Sequence, residues 1–229
     1  MLQSLKKFLS PTKRNMSNLH PKISISISTS SPTLSKSGNQ PFTITLSANF
    51  TNNPQTITID TFHTVLYHRS LALDYQGLTF KDTSSGELAK RRVIDVQYRV
   101  PESLTETLDS VAEIPPLNDG SEAYIVRHTF QTPASSEIPG HGEGEQPCST
   151  DPEMDAIAKD LMREMTDQTA GLEVGRTYEI GLGNDMNRVS WWRVGMKAEV
   201  FAQGSVSRRP EGPTIEMNLV KTATFTVVE

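Results

Sequence analysis

The chain has 229 residues, 35% of them hydrophobic and 21% charged, which is enough apolar material to bury a sizeable core and excludes a wholly disordered polymer. Its net charge of −5 is unevenly spread: residues 1–59 hold Lys6, Lys7, Lys13, Arg14, Lys22 and Lys36 and no acid, so they carry +6 and the remainder −11. An acidic body argues against a broad nucleic-acid or anionic-membrane surface, the lone Cys148 rules out an intramolecular disulfide and suits the reducing cytoplasm, and no apolar run reaches the ~18 residues of a membrane span.

Residues 1–21 read as a disordered basic leader. Leu2, Leu5, Phe8 and Leu9 fall at helical spacing among basic and hydroxyl residues, as in a transit peptide or an amphipathic anchor. Pro11 cuts that pattern too short for a stable helix in water. From Lys22 the apolar period is two, the spacing of a half-buried strand. Ile23, Ile25 and Ile27 alternate with serines, and after the turn-rich Ser30–Gln40 the alternation resumes with Phe42, Ile44, Leu46, Ala48 and Phe50. Further strands are predicted over Thr56–Tyr67, Leu78–Lys81, Arg92–Val100, Ala123–Phe130, Thr177–Leu182, Trp191–Ala202 and Thr214–Val228. The last is too long for one straight strand and predicts a bend or a change of sheet near Lys221. One helix is predicted from Asp151 to about Gln168, with Asp151 as N-cap, Pro152 in the first turn, Gly171 as the stop, and Met154, Ile157, Ala158, Leu161, Met162 and Met165 along one face. With the exposed loop before it, this helix forms an insertion over 131–171. The fold class expected is therefore mainly β, an antiparallel immunoglobulin-like or arrestin-like sandwich of residues 22–229 with one inserted amphipathic helix.

The segment Gly171-Leu172-Glu173-Val174-Gly175-Arg176-Thr177-Tyr178, followed by Trp191-Trp192-Arg193-Val194-Gly195, resembles a loosely defined group of uncharacterised fungal proteins that pair a Gly-Leu-x-x-Gly-x-x-Tyr approach with a Trp-Trp-Arg-x-Gly strand. The resemblance implies an immunoglobulin-like or arrestin-like sandwich in a fungal cytoplasm and implies no activity.

Candidate chemistry is sparse. His141, Glu143 and Cys148 match half of a zinc-deaminase signature, but Asp151 stands where the second cysteine belongs, so no metal and no cofactor is expected. No nucleophile elbow, phosphate-binding glycine loop or His-Glu-x-x-His helix occurs. His63 and His68, five apart, would face opposite sides of one strand. Trp191 and Trp192 must also face opposite sides; the run Val194, Met196, Ala198 and Val200 on the face of Trp192 predicts Trp192 in the core, with Trp191 and Arg193 exposed as a binding pair. Met162 and Met165 offer an adaptable apolar face for a partner. The leading expectation is a non-catalytic module recognising a protein partner or small hydrophobic ligand through Trp191, Arg193, Met162 and Met165. The alternative is a small-molecule isomerase or cyclase of fungal secondary metabolism using His63, His68, Asp74, His128 or Tyr178 gathered at one end. A trafficking adaptor is weakened because Pro115-Pro116 is followed by Leu117-Asn118, which is not a Pro-Pro-x-Tyr motif.

Overall fold

The computed structural model describes residues 22–38, 40–51, 54–68, 71–91, 101–117, 122–130, 167–202, 204, 206–210 and 212–229. The leader, the strand predicted over Arg92–Val100, the half zinc motif, and residues 151–166 of the predicted helix with Met162 and Met165 lie outside them. The described residues are mainly β. In chain order the strands are β1 (Lys22–Thr29), β2 (Thr33–Ser35), β3 (Thr43–Thr51), β4 (Ile57–Asp60), β5 (Leu78–Asp82), β6 (Val111–Ile114), β7 (Tyr124–Thr129), β8 (Thr177–Leu182), β9 (Arg188–Val189), β10 (Trp192–Val194), β11 (Ile215–Lys221) and β12 (Thr224–Val228). Among the described residues two short α-helices, α1 (Leu71–Asp74) and α2 (Lys197–Phe201), and two single-turn 3-10 helices (Leu104–Glu106 and Leu108–Ser110) interrupt them.

The strands form three sheets where two were expected: β7-β3-β1-β11-β9, β2-β12-β8-β5, and a small β10-β4-β6. Most pairings are antiparallel, but β1 runs parallel to β11 and β2 parallel to β12. Period-two patterning sets the long pair. Ile23, Ile25 and Ile27 of β1 and Ile44, Leu46, Ala48 and Phe50 of β3 all point inward, while the intervening residues stay half-buried or exposed. A register slip would turn every isoleucine to water, which holds the pairing at Ile25 to Ala48. The three sheets share one core, and four rings bind the two larger ones: Phe42 lies 5.0 Å from Phe225 and 5.7 Å from Phe130, and Phe80 lies 5.7 Å from Phe130 and 5.6 Å from Phe225.

The bend near Lys221 is present. Ile25 pairs with Leu219 but Ser26 pairs with Lys221, so Val220 is an extra residue that bulges the strand. Past it the chain leaves the first sheet, and β12 pairs with β8 in the second. Two other predicted strands are shorter than expected. Thr56–Tyr67 is strand only to Asp60, after which the Asp60 carboxylate accepts the Phe62 amide (3.1 Å) and the Thr64 hydroxyl donates to the Thr61 carbonyl (2.7 Å), closing turns instead of extending the ladder. Trp191–Ala202 contributes β10 and then α2, whose start is held by the Glu199 carboxylate accepting the Met196 amide (3.1 Å). His63 and His68 therefore sit in turns and not in a strand.

Candidate functional site

A cleft of about 600 Å³ opens beside the edge of the second sheet, lined by Lys36 after β2, the hairpin from Asp82 to Lys90, the loop Gly171–Val174, and Tyr178 of β8. Each wall has a local cause. After β5 the chain turns at Thr83–Gly86, with the Asp82 carboxylate accepting the Ser84 amide (2.7 Å) and hydroxyl (2.6 Å), and returns so that Asp82 donates to the Glu87 carbonyl (2.8 Å) and Ala89 to the Phe80 carbonyl (2.8 Å). The return segment thus meets the outer edge of β5 through one antiparallel bridge, Leu88 opposite Lys81.

The opposite wall is the Gly-Leu-x-x-Gly-x-x-Tyr segment. Gly171 has φ +83 and packs so closely on the Lys90 carbonyl that a Cβ there would lie 2.1 Å from its oxygen. Gly175 (φ +82) makes the second left-handed turn, buried Leu172 anchors the loop, and the Tyr178 hydroxyl accepts the Glu173 amide (3.0 Å). Arg176 crosses between the walls, 3.2 Å from Asp82 Oδ2 and 3.4 Å from Glu173 Oε2. The hydroxyl and amide of Ser84, with Arg176, hold the Asp82 carboxyl below its ordinary value. Two aliphatic side chains stand at the rim, Leu88 at 58% exposure and Val174 at 45%.

The expected tryptophan site is built differently. Trp192 is in the main core as expected, 3% exposed, its indole N–H donating to the Pro213 carbonyl (2.8 Å). Trp191, expected outside, is 0% exposed. It forms a second small core with Leu104 and Val111, which half-buried Val200, Phe201 and Val206 cover. Both faces of the small sheet are thus covered. Leu104 and Val111 come from segments remote in sequence, and Val200 and Phe201 reach Trp191 because the chain turns into α2 after β10 instead of continuing as strand, which alternation along β10 does not register. Arg193 is half-buried, stacks 5.1 Å over Trp191 and donates to the Trp192 carbonyl (2.9 Å).

The acid/base candidates make separate contacts. Buried His128 bonds the Val65 carbonyl through Nε2 (2.8 Å), and burial lowers its pKa. Asp74 accepts from the Gln168 side chain (2.6 Å); burial raises its pKa against that bond and the charge of Arg91. Arg91 itself donates to the Gln168 carbonyl (3.0 Å), lies 4.9 Å over Phe80, and is lowered by burial to about 10 against the attraction of Asp74 and Asp167. Tyr178 belongs to the cleft. His63 and His68 are exposed at the two ends of an aromatic row, His63–Phe62 4.3 Å, Phe62–Tyr67 5.4 Å and Tyr67–His68 5.0 Å.

Beneath that row lies a polar cluster that no local motif announced. Asp60, buried in the small sheet, lies 2.9 Å from Arg208 Nε, an ion pair whose N–H is not aligned for a hydrogen bond, and accepts from the Ser110 hydroxyl (3.0 Å). Arg208 also donates to the Thr107 hydroxyl (2.6 Å) and the Pro101 carbonyl (3.2 Å), and stacks 5.3 Å over Phe62. Burial raises the Asp60 pKa against the Phe62 amide, Arg208 and Ser110, and partial burial lowers that of His63 against the pull of Asp60. These contacts tie the turn after β4, the turns before β6 and the strand-like segment at Arg208 into one unit. Among the described residues no group of three His, Cys, Asp or Glu side chains is placed to hold a metal ion, and no helix is long and apolar enough to cross a membrane. No protein-family model matches the chain, and neither the curated proteins nor the solved structures compared with it match.

Proposed function

We propose that the chain is an immunoglobulin-like sandwich acting as a non-catalytic binding module, with the Lys36/Leu88/Val174 cleft as its recognition site. The pairings support the fold reading. β1, β3 and β7 neighbour one another as strands A, B and E of such a sandwich do, and β5, β8 and β12 as C, F and G do. Tyr178, near the start of the strand matching F, reaches back to the backbone at Glu173 in the manner of a tyrosine corner. The small sheet and β9 to β11 are additions to that plan.

The observation that carries the function is the cleft itself. Its size falls in the range of ~300–1,000 Å³ typical of ligand sites. Its walls are held by glycine contacts and by Arg176 before any ligand arrives, and Leu88 and Val174 expose aliphatic surface at its rim without a fold contact that requires it. Pre-formed walls lower the ordering cost of binding.

The test uses N-acetyl-leucinamide as a probe in an NMR titration of the full chain. Saturable shifts of the amides of Leu88, Ala89 and Leu172–Val174, lost in the surface variant Leu88→Asp/Val174→Asp, are the expected result. Shifts confined to other surfaces, or none that saturate, would overturn the assignment.

A further inference from the structure

We draw no further inference here: the strongest candidate, the apolar patch around α2 and the second small core, where Leu108 and Met196 are exposed and Val200, Phe201 and Val206 stay half-buried, carries nothing because no contact in the structure shows what covers it.

Discussion

Trp191 and Trp192 are adjacent, both buried, and differ in one respect that a conservative substitution can isolate: the Trp192 indole N–H donates to the Pro213 carbonyl, whereas the Trp191 indole N–H has no acceptor among the described residues. Replacing either by phenylalanine removes a similar volume from a packed site. Trp192→Phe also loses a formed hydrogen bond, a net cost of about 0.5–1.5 kcal/mol. Trp191→Phe removes an unpaired donor, whose burial costs about 1–3 kcal/mol, and so recovers part of what the smaller ring forfeits. The two variants should therefore differ by about 1.5–4.5 kcal/mol, with Trp191→Phe the more stable, although truncation of either to alanine should cost about 3–5 kcal/mol because each leaves a cavity. Urea unfolding with equal m-values would read the difference directly. A Trp191→Phe variant as unstable as Trp192→Phe would refute the reasoning, and a Trp191→Ala loss near zero would refute the second core.

Other expectations follow from single contacts. Asp60→Asn strips the half-buried Arg208 of its counter-charge and should cost about 3 kcal/mol by urea unfolding, with a second change, Arg208→Met, restoring part of the loss. Gly171→Ala meets the Lys90 carbonyl at 2.1 Å and should destabilise much more than Gly175→Ala, which meets nothing within 4 Å and bears only the left-handed penalty of about 1–2 kcal/mol; equal thermal shifts would contradict this. His128 has a folded pKa lowered from 6.5, so the stability that its neutral form contributes is fully present above that value and is lost as pH falls through the folded pKa, at a slope of up to about 1.4 kcal/mol per pH unit. His128→Gln keeps a donor for the Val65 carbonyl and cannot take up the proton, so it should flatten stability against pH just below 6.5.

The parts of the fold legible in the sequence are those where one strand face meets the core and the other meets water. β1, β3, β5 and β8 all alternate, and the break near Lys221 is visible because one apolar face runs too long for a single strand. Elements with both faces covered were legible only in part, and those too short to show a period were not. β4 falls inside the strand predicted over Thr56–Tyr67, but it is buried at all four positions, so its polar Thr58 and Asp60 mark neither a solvent face nor its end, and β6 and the three-residue β2 carry too few residues for alternation to register. The same covering explains Trp191. Parity separates the two indoles correctly, but what lies over Trp191 comes from Leu104, Val111 and α2, and nothing along β10 encodes them. The glycine and tyrosine spacing at 171–178 is plain in the sequence, yet its purpose appears only once Gly171 is seen against Lys90 and Tyr178 against Glu173.

Both tryptophans beside the small sheet are buried while Arg193 and Val194 stay half-buried, and exposed aliphatic groups fall on strand edges and turns. Among the edges that carry such groups, β11 and the hairpin at Leu88 differ in what they offer a partner. On β11, strand β9 pairs only with Ile215 and Glu216, and beyond them Leu219 and Val220 are exposed; here, though, the bulge at Val220 twists the strand away and Lys221 follows, two devices that discourage addition of another chain. At Leu88 the exposed side chain stands at the rim of a cleft already bounded by the Gly171–Val174 loop. An edge that is shielded and an edge that is framed call for opposite outcomes under the same perturbation. Val220→Glu should leave the N-acetyl-leucinamide shifts of the cleft amides unchanged, and Leu88→Asp/Val174→Asp should remove them with little change in thermal stability; the reverse pattern would move the recognition site to β11.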